Sequence, residues 1–261
     1  MDFGIQGRVA LVSGAGGGLG RAMAIALAAE GAQVAVCGRT LAALQETVSL
    51  IEEQGGTAQA WVLDLTAPES FDDVLMQIRR TYGPVGILVN NSGGPPPTKA
   101  AGVAPELWQS QFATLVSPLI LLTDKVLPDM HNAGWGRIIT STSSGVVAPI
   151  ANLGISNTLR MALVGWSKTL ASEVAADGIT VNVMVPGRIS TRRLGQLDAA
   201  RAGREGVTVE DVAAKSAAGI PAKRYGKPEE YGAVAAFLAS QQASYVTGSV
   251  IRVDGGMIPS V

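Results

Sequence analysis

The chain has 261 residues and a mass of 26.7 kDa, which suits one large α/β domain, and 47% of its residues are hydrophobic, which excludes a disordered chain. Only 16% of the residues are charged, whereas about 25% is ordinary. Such a chain has little polar material with which to cover its surface. We therefore expect a homo-oligomer, either a homotetramer or a homodimer.

Charge and rare residues exclude several classes of function. The 20 basic and 21 acidic residues give a net charge of -1, and no Lys/Arg block could neutralise a nucleic acid. No apolar run reaches the roughly 18 residues that span a bilayer, and the N-terminus lacks a signal-peptide pattern, so we expect a cytoplasmic protein without a membrane partner. One cysteine, Cys37, and one histidine, His131, exclude a disulfide scaffold and a zinc site, and no bound metal is expected.

Short apolar or β-branched runs alternate with helical patterns along the whole chain, as they do in βαβ units. The predicted strands are 8–13, 32–37, 58–63, 86–90, 137–142, 180–184 and 249–253. The predicted helices begin near Gly18, Thr40, Pro68, Pro105, Leu153, Thr208 and Pro228. The pattern predicts a doubly wound parallel α/β sheet of the Rossmann type, with about seven strands, in one dinucleotide-binding domain over residues 1–261.

The least regular stretch of the chain is 187–220, a polar, Arg-rich run that follows the sixth predicted strand and contains Gly195, Gly203 and Gly206. A segment outside the carboxyl end of a strand is where an open α/β sheet usually places the residues that cover its substrate. We expect a substrate lid at 187–220.

The first strand runs into SGAGGGLGRAMAIALAAEG, in which Gly14, Gly18 and Gly20 precede an Ala-rich helix. Glycine lets the backbone turn tightly and approach a diphosphate, and the start of the helix offers free N–H groups and the positive end of its dipole. The alternative is a glycine-rich turn that serves packing alone.

The chain resembles the short-chain dehydrogenase/reductases from about Gly7 to Gly256. SGAGGGLG is similar to the family's T-G-x-x-x-G-x-G, VLDLT to its third-strand Asp signature, and LVNNSGG to N-N-A-G. VNVMVPGRIST and YVTGSVIRVDGG resemble the segment beside the nicotinamide and the closing strand. The resemblance implies a dinucleotide at the sheet's switch point. The cofactor residues that it implies are Gly14, Gly18, Leu19, Gly20, Asp64, Leu65, Asn91, Arg160, Pro186, Gly187, Ile189 and Thr191.

The end of the second strand indicates which dinucleotide is bound. AVCGRT places Gly38 and Arg39 there, where an acidic residue would accept hydrogen bonds from a ribose 2'-OH and a guanidinium would pair with a 2'-phosphate. Arg39 therefore predicts NADP(H). The alternative is that Arg39 is only a solvated charge at the start of a helix.

The resemblance breaks down at the catalytic positions. The family uses an Asn, a Ser and a Tyr-x-x-x-Lys pair, which here fall on Leu115, Ser143, Ser156 and Arg160. An aliphatic hydroxyl is a far weaker acid than a phenol, and Arg160 cannot act as a conventional base. Its guanidinium could still hold ribose hydroxyls and present positive charge to an oxyanion. None of the four tyrosines, Tyr82, Tyr225, Tyr231 and Tyr245, lies on this helix.

Two interpretations of ISNTLR remain open. In the first, Ser143, Ser156, Asn157 and Arg160 form a remodelled polar site for a small-molecule substrate, and the protein is an NADP(H)-dependent oxidoreductase acting on a carbonyl or related group. In the second, the site is a relic, and the protein binds NADP(H) for non-redox lyase chemistry, ligand sensing or a structural role. ISNTLR and PGRIST also resemble a divergent branch of the family described as 3-oxoacyl-carrier-protein reductase-like.

Three further expectations concern single residues and the assembly. His131 is predicted to lie in the surface turn before the fifth strand. The cluster Arg188, Arg192 and Arg193 could grip an anionic substrate, or it could form a solvated face of the lid. The family resemblance implies assembly through the helices at 105–131 and 153–176 and through the C-terminal strand.

Overall fold

A computed structural model describes residues 2–260, and these residues form a seven-stranded parallel sheet with helices on both faces. The strands are β1 (Val9–Val12), β2 (Gln33–Gly38), β3 (Thr57–Val62), β4 (Val85–Asn90), β5 (Gly136–Ser141), β6 (Ile179–Pro186) and β7 (Val250–Val253). The helices are α1 (Gly18–Ala29), α2 (Leu41–Glu52), α3 (Phe71–Thr81), α4 (Pro105–Leu115), α5 (Ser117–Ala133), α6 (Gly154–Val174), α7 (Arg192–Glu205), α8 (Val209–Ala218) and α9 (Pro228–Ala239).

The sheet order is β3-β2-β1-β4-β5-β6-β7. The strands β2 and β3 are added on one side of β1 and the strands β4 to β7 on the other, so the topological switch point lies between β1 and β4. Helices α1, α2 and α9 cover one face through residues such as Met23, Leu44 and Leu238. Helices α3, α5 and α6 cover the other face through residues such as Phe71 and Val126. Because every strand is parallel, all carboxyl ends lie at one edge of the sheet, and the topological switch point lies there between β1 and β4. The predicted doubly wound, single-domain fold is confirmed.

Within 187–220, the helix predicted to begin near Thr208 is confirmed as α8. The prediction that the run before it is irregular is wrong, because α7 (Arg192–Glu205) occupies most of that run. The Thr191 hydroxyl caps α7 by accepting a hydrogen bond from the Leu194 N–H at 3.3 Å, and Gly206 ends the helix in the left-handed conformation. Only Asp198 and Ala202 of α7 are buried, so the helix carries no apolar stripe that a sequence pattern could reveal.

Two smaller expectations also need correction. The segment 105–131 is two helices rather than one, because Pro118 has no N–H to continue the hydrogen-bond ladder and the backbone turns at Val116. His131 lies in the last turn of α5 rather than in the following turn, and its Nδ1 is 3.2 Å from the carboxylate of Asp177. Among the described helices, none is long and apolar enough to cross a membrane.

The start of α9 generates a pH-dependent prediction. The Glu230 carboxylate accepts hydrogen bonds from the Arg224 guanidinium at 2.6 and 2.8 Å and from the Lys227 N–H at 2.7 Å. These contacts lower the pKa of Glu230 from 4.5 to about 2, and the hydrogen bond to Arg224 makes the largest contribution. A carboxyl whose pKa is lower in the folded state stabilises that state above the unfolded pKa and loses this effect as the pH falls.

We therefore expect the melting temperature of the wild type to fall more steeply between pH 4.5 and about 2 than that of Glu230→Gln. Thermal unfolding followed by circular dichroism across pH 2 to 7 measures both slopes. Glu229→Gln is the matched control, because Glu229 lies in the same helical turn without a hydrogen bond to Arg224. Parallel curves for Glu230→Gln and the wild type would contradict the assignment.

Candidate active site

Side chains from other segments donate hydrogen bonds to the carbonyl groups of the glycine-rich loop between β1 and α1. The Gly14 oxygen accepts from the Asn91 amide at 3.3 Å, the Ala15 oxygen from the Thr47 hydroxyl at 2.9 Å, and the Gly16 oxygen from the Arg21 guanidinium at 2.9 Å. The Ala15 N–H donates to the Cys37 carbonyl oxygen at 3.0 Å, so the N–H groups that remain for an anion are those at the start of α1.

The first turn of α1 supplies these N–H groups. The N-cap residue, Gly17, has no side chain with which to cap the helix, so the N–H groups of Gly18, Leu19 and Gly20 are left for another partner. A Cβ on Gly20 would lie 2.2 Å from the Gly14 oxygen, so glycine is required there by the close approach of the loop. The N–H groups predicted to bind a diphosphate therefore have no capping side chain.

The ends of β2 and β3 lie beside this loop and carry the residues predicted for the adenosine half of the cofactor. Arg39 follows β2, is exposed, and makes no hydrogen bond to another residue of 2–260. Asp64 follows β3 and accepts from the N–H and hydroxyl of Thr66 at 2.9 and 2.8 Å, and these bonds lower its pKa, with a smaller contribution from Arg39. Leu65 is half-buried against the core.

The switch point is closed by a reciprocal contact between β1 and β4. The Ser13 hydroxyl donates to the Asn91 carbonyl oxygen at 2.9 Å and accepts from the Asn91 N–H at the same distance. Asn91 therefore holds both Ser13 and the glycine-rich loop. Its side-chain amide donates to the carbonyl oxygens of Ser13 and Gly14 at 3.2 and 3.3 Å and so fixes the geometry of the loop.

The end of β6 reaches back towards the glycine-rich loop. Pro186 ends the strand, and a Cβ on Gly187 would lie 2.6 Å from Asp254. Ile189 is buried in a bridge to Gly226. The methyl of Thr191 lies 3.7 Å from where a Cβ on Gly18 would stand. The structure thus brings the residues predicted for the nicotinamide half beside those predicted for the diphosphate.

Arg160 lies at the carboxyl ends of β4 and β5. It projects from α6 and is only 7% exposed. Its guanidinium donates to the Ser141 carbonyl oxygen at 3.3 Å and to the Gly93 carbonyl oxygen at 2.8 Å, so it joins the ends of β5 and β4. Burial lowers the pKa of the guanidinium, the nearby Tyr231 opposes this, and the charge of Arg193 adds to it.

The other polar residues predicted for catalysis are placed differently. The Ser143 oxygen accepts from the Gly145 N–H at 3.2 Å, which leaves its own proton free to donate. Ser156 is buried in the first turn of α6 and makes no hydrogen bond to another described residue. The Asn157 amide is occupied by the backbone of Ile150, to which it donates at 2.9 Å, so it anchors a loop.

Leu115 belongs to an apolar cluster rather than to the polar crevice. It ends α4, is 5% exposed, and packs in a group with Leu119, Ile155 and Leu159. Two of these residues come from α6 on either side of Ser156. Apolar side chains therefore fill the space beneath the start of α6, and no polar side chain is supplied from that position.

Sequence reasoning missed a second polar contact behind Arg160. Tyr231 of α9 is fully buried, and its hydroxyl lies 3.0 Å from the hydroxyl of Ser141, whose carbonyl accepts from Arg160. Burial raises the pKa of Tyr231, so its phenol stays protonated. No local signal joins residues 90 positions apart in the chain. Arg21 and Thr47 were missed for the same reason.

Comparison with known proteins decides the family. A family model described as Enoyl-(Acyl carrier protein) reductase matches residues 14–258. The 3-oxoacyl-[acyl-carrier-protein] reductase of Escherichia coli (strain K12) is 38% identical over 259 residues, which cover 98% of this chain and 99% of the relative. The chain belongs to the short-chain dehydrogenase/reductase family.

Solved structures of reductases in this family share the whole fold. The L-sorbose reductase of Gluconobacter frateurii, complexed with NADPH and L-sorbose, is 34% identical, with a TM-score of 0.93 and 100% of each chain covered. A protein of Agrobacterium tumefaciens described as a putative 2-deoxy-D-gluconate 3-dehydrogenase with bound NADP is 30% identical, with a TM-score of 0.85 and 99% of each chain covered. This short-chain dehydrogenase/reductase is thus similar to oxidoreductases along its full length.

The close approach of Gly20 to Gly14 can be tested by substitution. Gly20→Ala forces a Cβ against a backbone carbonyl, and we expect the free energy of unfolding to fall by about 1 to 3 kcal/mol, as in other overpacked sites. Denaturant unfolding measures the change. Gly203→Ala is the matched control, since Gly203 is also helical and has open space around it, and its free energy of unfolding should stay level or rise. Equal stability of the two variants would refute the argument.

Proposed function

We propose that this protein is an NADP(H)-dependent oxidoreductase that acts on a carbonyl or related group at an atypical catalytic site. The observation that carries the proposal is the meeting, at one edge of the sheet, of a complete diphosphate cradle with a buried guanidinium and an available serine hydroxyl. The two structures compared above, a reductase and a protein described as a putative dehydrogenase, hold NADPH and NADP, which supports the same cofactor here.

Residues of this chain fit each part of the cofactor. The N–H groups of Gly18, Leu19 and Gly20 would bind the diphosphate, with Gly14 giving the loop its turn. The remaining residues in this set are Asp64, Leu65 and Asn91 for the adenine side and Pro186, Gly187, Ile189 and Thr191 for the nicotinamide side. When bound, the nicotinamide supplies or accepts a hydride.

Arg39 supplies the preference for the phosphorylated cofactor. It is exposed at the end of β2, beside Asp64, and makes no hydrogen bond to the rest of the described chain. A guanidinium in that position pairs with a 2'-phosphate through charge-assisted hydrogen bonds. The neighbouring Gly38 adds no acidic group that would repel the phosphate.

Ser143 and Arg160 are proposed to stabilise the negative charge that develops on the substrate oxygen. The Ser143 hydroxyl is oriented by the Gly145 N–H and can donate its proton. Arg160 has five N–H donors and uses two of them on the carbonyls of Ser141 and Gly93, so others remain for ribose hydroxyls and for the substrate oxygen. The Ser156 hydroxyl would help to position the substrate.

The proton is proposed to come from water or from the substrate. Ser143 and Ser156 are aliphatic alcohols, which are far weaker acids than a phenol. Arg160 stays charged across the physiological range. Tyr231 has a phenol, but it is fully buried behind Ser141 and its pKa is raised, so it is not an acid for the substrate.

The lid and the assembly belong to the same proposal. Helices α7 and α8, with the loop before them, form the lid over the substrate, because they follow the carboxyl end of β6. Exposed apolar side chains on α4, α5, α6 and β7 support a homotetramer or a homodimer through those elements; they are Phe112, Leu121, Met161 and Val250.

The alternative is an NADP(H)-binding protein without dehydrogenase activity, which would serve non-redox lyase chemistry, ligand sensing or a structural role. The packing of Leu115 and the occupied amide of Asn157 favour it, because both remove polar groups from the site. Oxidation of NADPH over a panel of ketones, quinones, imines and enones separates the two. Tight NADPH binding with no oxidation on any of them would favour the alternative.

The cofactor preference is tested on Arg39→Asp. Loss of a charge-assisted pair costs about 1.5 to 3 kcal/mol, so we expect NADPH to bind about ten- to a hundredfold more weakly while NADH binding stays level or improves. Isothermal titration calorimetry with both cofactors measures this. Arg80→Asp is the matched control, because Arg80 is an exposed arginine on α3, on the opposite face of the sheet from α2. Unchanged preference in Arg39→Asp would count against the proposal.

The catalytic roles are tested by pH profiles. The wild type should show a rate that is flat where a tuned Tyr/Lys pair would titrate, since neither Ser143 nor Arg160 changes its charge there. Ser143→Ala should lower kcat by about tenfold or more, as loss of an oxyanion donor does. Ser156→Tyr combined with Arg160→Lys should introduce a pH-dependent limb. Full activity of Ser143→Ala, or a titrating limb in the wild type, would refute the assigned roles.

A further inference from the structure

Two arginines from different parts of the chain donate hydrogen bonds to the short loop 93–95, which follows β4. The guanidinium of Arg160 donates to the Gly93 carbonyl oxygen at 2.8 Å, and that of Arg193, in the first turn of α7, donates to the Pro95 carbonyl oxygen at 3.2 Å. Between them, a Cβ on Gly94 would lie 3.2 Å from the Arg193 guanidinium. The two guanidinium groups therefore bind the residues before and after Gly94 in the chain.

Neither charge has an acidic partner among residues 2–260. The ion pairs of the described chain that involve arginine use Arg21, Arg79, Arg188, Arg201 and Arg224. Arg188, which precedes the same helix, is neutralised by Asp198 at 3.1 Å. The guanidinium groups of Arg160 and Arg193 instead donate to neutral carbonyl groups. Burial lowers the pKa of Arg160, and the positive charge of Arg193 lowers it further.

Such an arrangement is costly unless a ligand completes it. A buried charge such as that of Arg160 is normally paired, and the exposed guanidinium of Arg193 places a like charge near it. An arginine fork presents parallel N–H groups that match a carboxylate or a phosphate. The loop also leaves room, because Gly93 and Gly94 carry no side chains and a Cβ on Gly93 would meet nothing within 4 Å.

We infer that the substrate carries a carboxylate near its carbonyl group, which Arg193 binds while Arg160 faces the carbonyl oxygen. This inference rests on the proposed function. Reduction of such an oxo acid adds a hydride from NADPH to the carbonyl carbon and a proton from water to the oxygen, which gives a hydroxy acid and NADP+. The lid helix α7 contributes Arg193, so the same contact ties the lid to the bound acid.

The anion could also belong to the cofactor, since the diphosphate offers the same chemistry to a guanidinium. Thr191, two residues before Arg193, lies beside Gly18 of the glycine-rich loop, but the Arg193 side chain donates to the Pro95 carbonyl beyond β4 and makes no hydrogen bond to that loop. The direction of this hydrogen bond supports a substrate anion. The experiment separates the two sources by measuring NADPH binding alongside binding of the acid.

The test compares acids with their neutral esters. We would measure kcat/KM for 2-oxobutanoate and 3-oxobutanoate and for the methyl ester of each, with the wild type, Arg193→Gln and Arg192→Gln. Arg192 is the matched control, since it is exposed in the same helical turn and makes no hydrogen bond to the described residues of the loop. We expect the wild type to prefer the acids, and Arg193→Gln to lose about ten- to a hundredfold on the acids with little change on the esters.

Calorimetry adds a readout that does not depend on turnover. Oxamate, a carboxylate that is not reduced, is titrated into the NADPH-saturated protein, with methyl oxamate as its neutral counterpart. We expect oxamate to bind at least about tenfold more weakly to Arg193→Gln than to the wild type and to Arg192→Gln, with the Kd for NADPH unchanged.

The outcomes separate this inference from the proposed function. Equal use of acids and esters by the wild type overturns the inference and leaves the oxidoreductase in place. A weaker Kd for NADPH in Arg193→Gln, with the acid-to-ester ratio unchanged, assigns Arg193 to the diphosphate and also overturns it. If oxamate binding depends on Arg193 but no substrate is reduced, the anion site is supported and the proposed oxidoreductase function is contradicted. Absence of both binding and reduction overturns both.

Discussion

The buried guanidinium of Arg160 links two neighbouring strands, β4 and β5, at their carboxyl ends. Arg160 donates to the carbonyls that end β5 and follow β4, groups that otherwise face the crevice with no strand beyond them. Satisfying these oxygens with a charge keeps a positive field in the centre of the site. The 93–95 loop contacts this guanidinium directly, and Tyr231 is linked to it through Ser141.

Behind Arg160, the hydroxyls of Ser141 and Tyr231 form a buried polar contact on the α9 side of the sheet. In front of it, Leu115 and its apolar neighbours close the space below α6. The guanidinium itself donates to the carbonyl oxygens of Ser141 and Gly93. A charge in such surroundings depends strongly on whatever ligand completes its coordination.

The glycine-rich loop between β1 and α1 is held by side chains from other segments, which bind its backbone carbonyl groups. Asn91, Thr47 and Arg21 come from three separate segments, and each binds one carbonyl of the glycine-rich loop. A loop held in this way keeps its N–H groups in place without a ligand, so little ordering is needed on binding. The glycines make the turn sterically possible, and the three side chains determine which way the peptide groups face.

The sequence by itself determined the alternation of strands and helices, the parallel sheet and the glycine-rich turn, because hydrophobic periodicity and glycine are local properties of the chain. It also identified Arg39, Ser143, Ser156 and Arg160 as the residues at the strand and helix ends. Only the tertiary structure decided what surrounds them. The contact of Tyr231 with Ser141, the pairing of Arg188 with Asp198 and the approach of Arg193 to Pro95 join distant segments or depend on the course of α7. Helix α7 lacked a local signal because it buries almost no apolar surface, so its position had to come from packing against the rest of the fold.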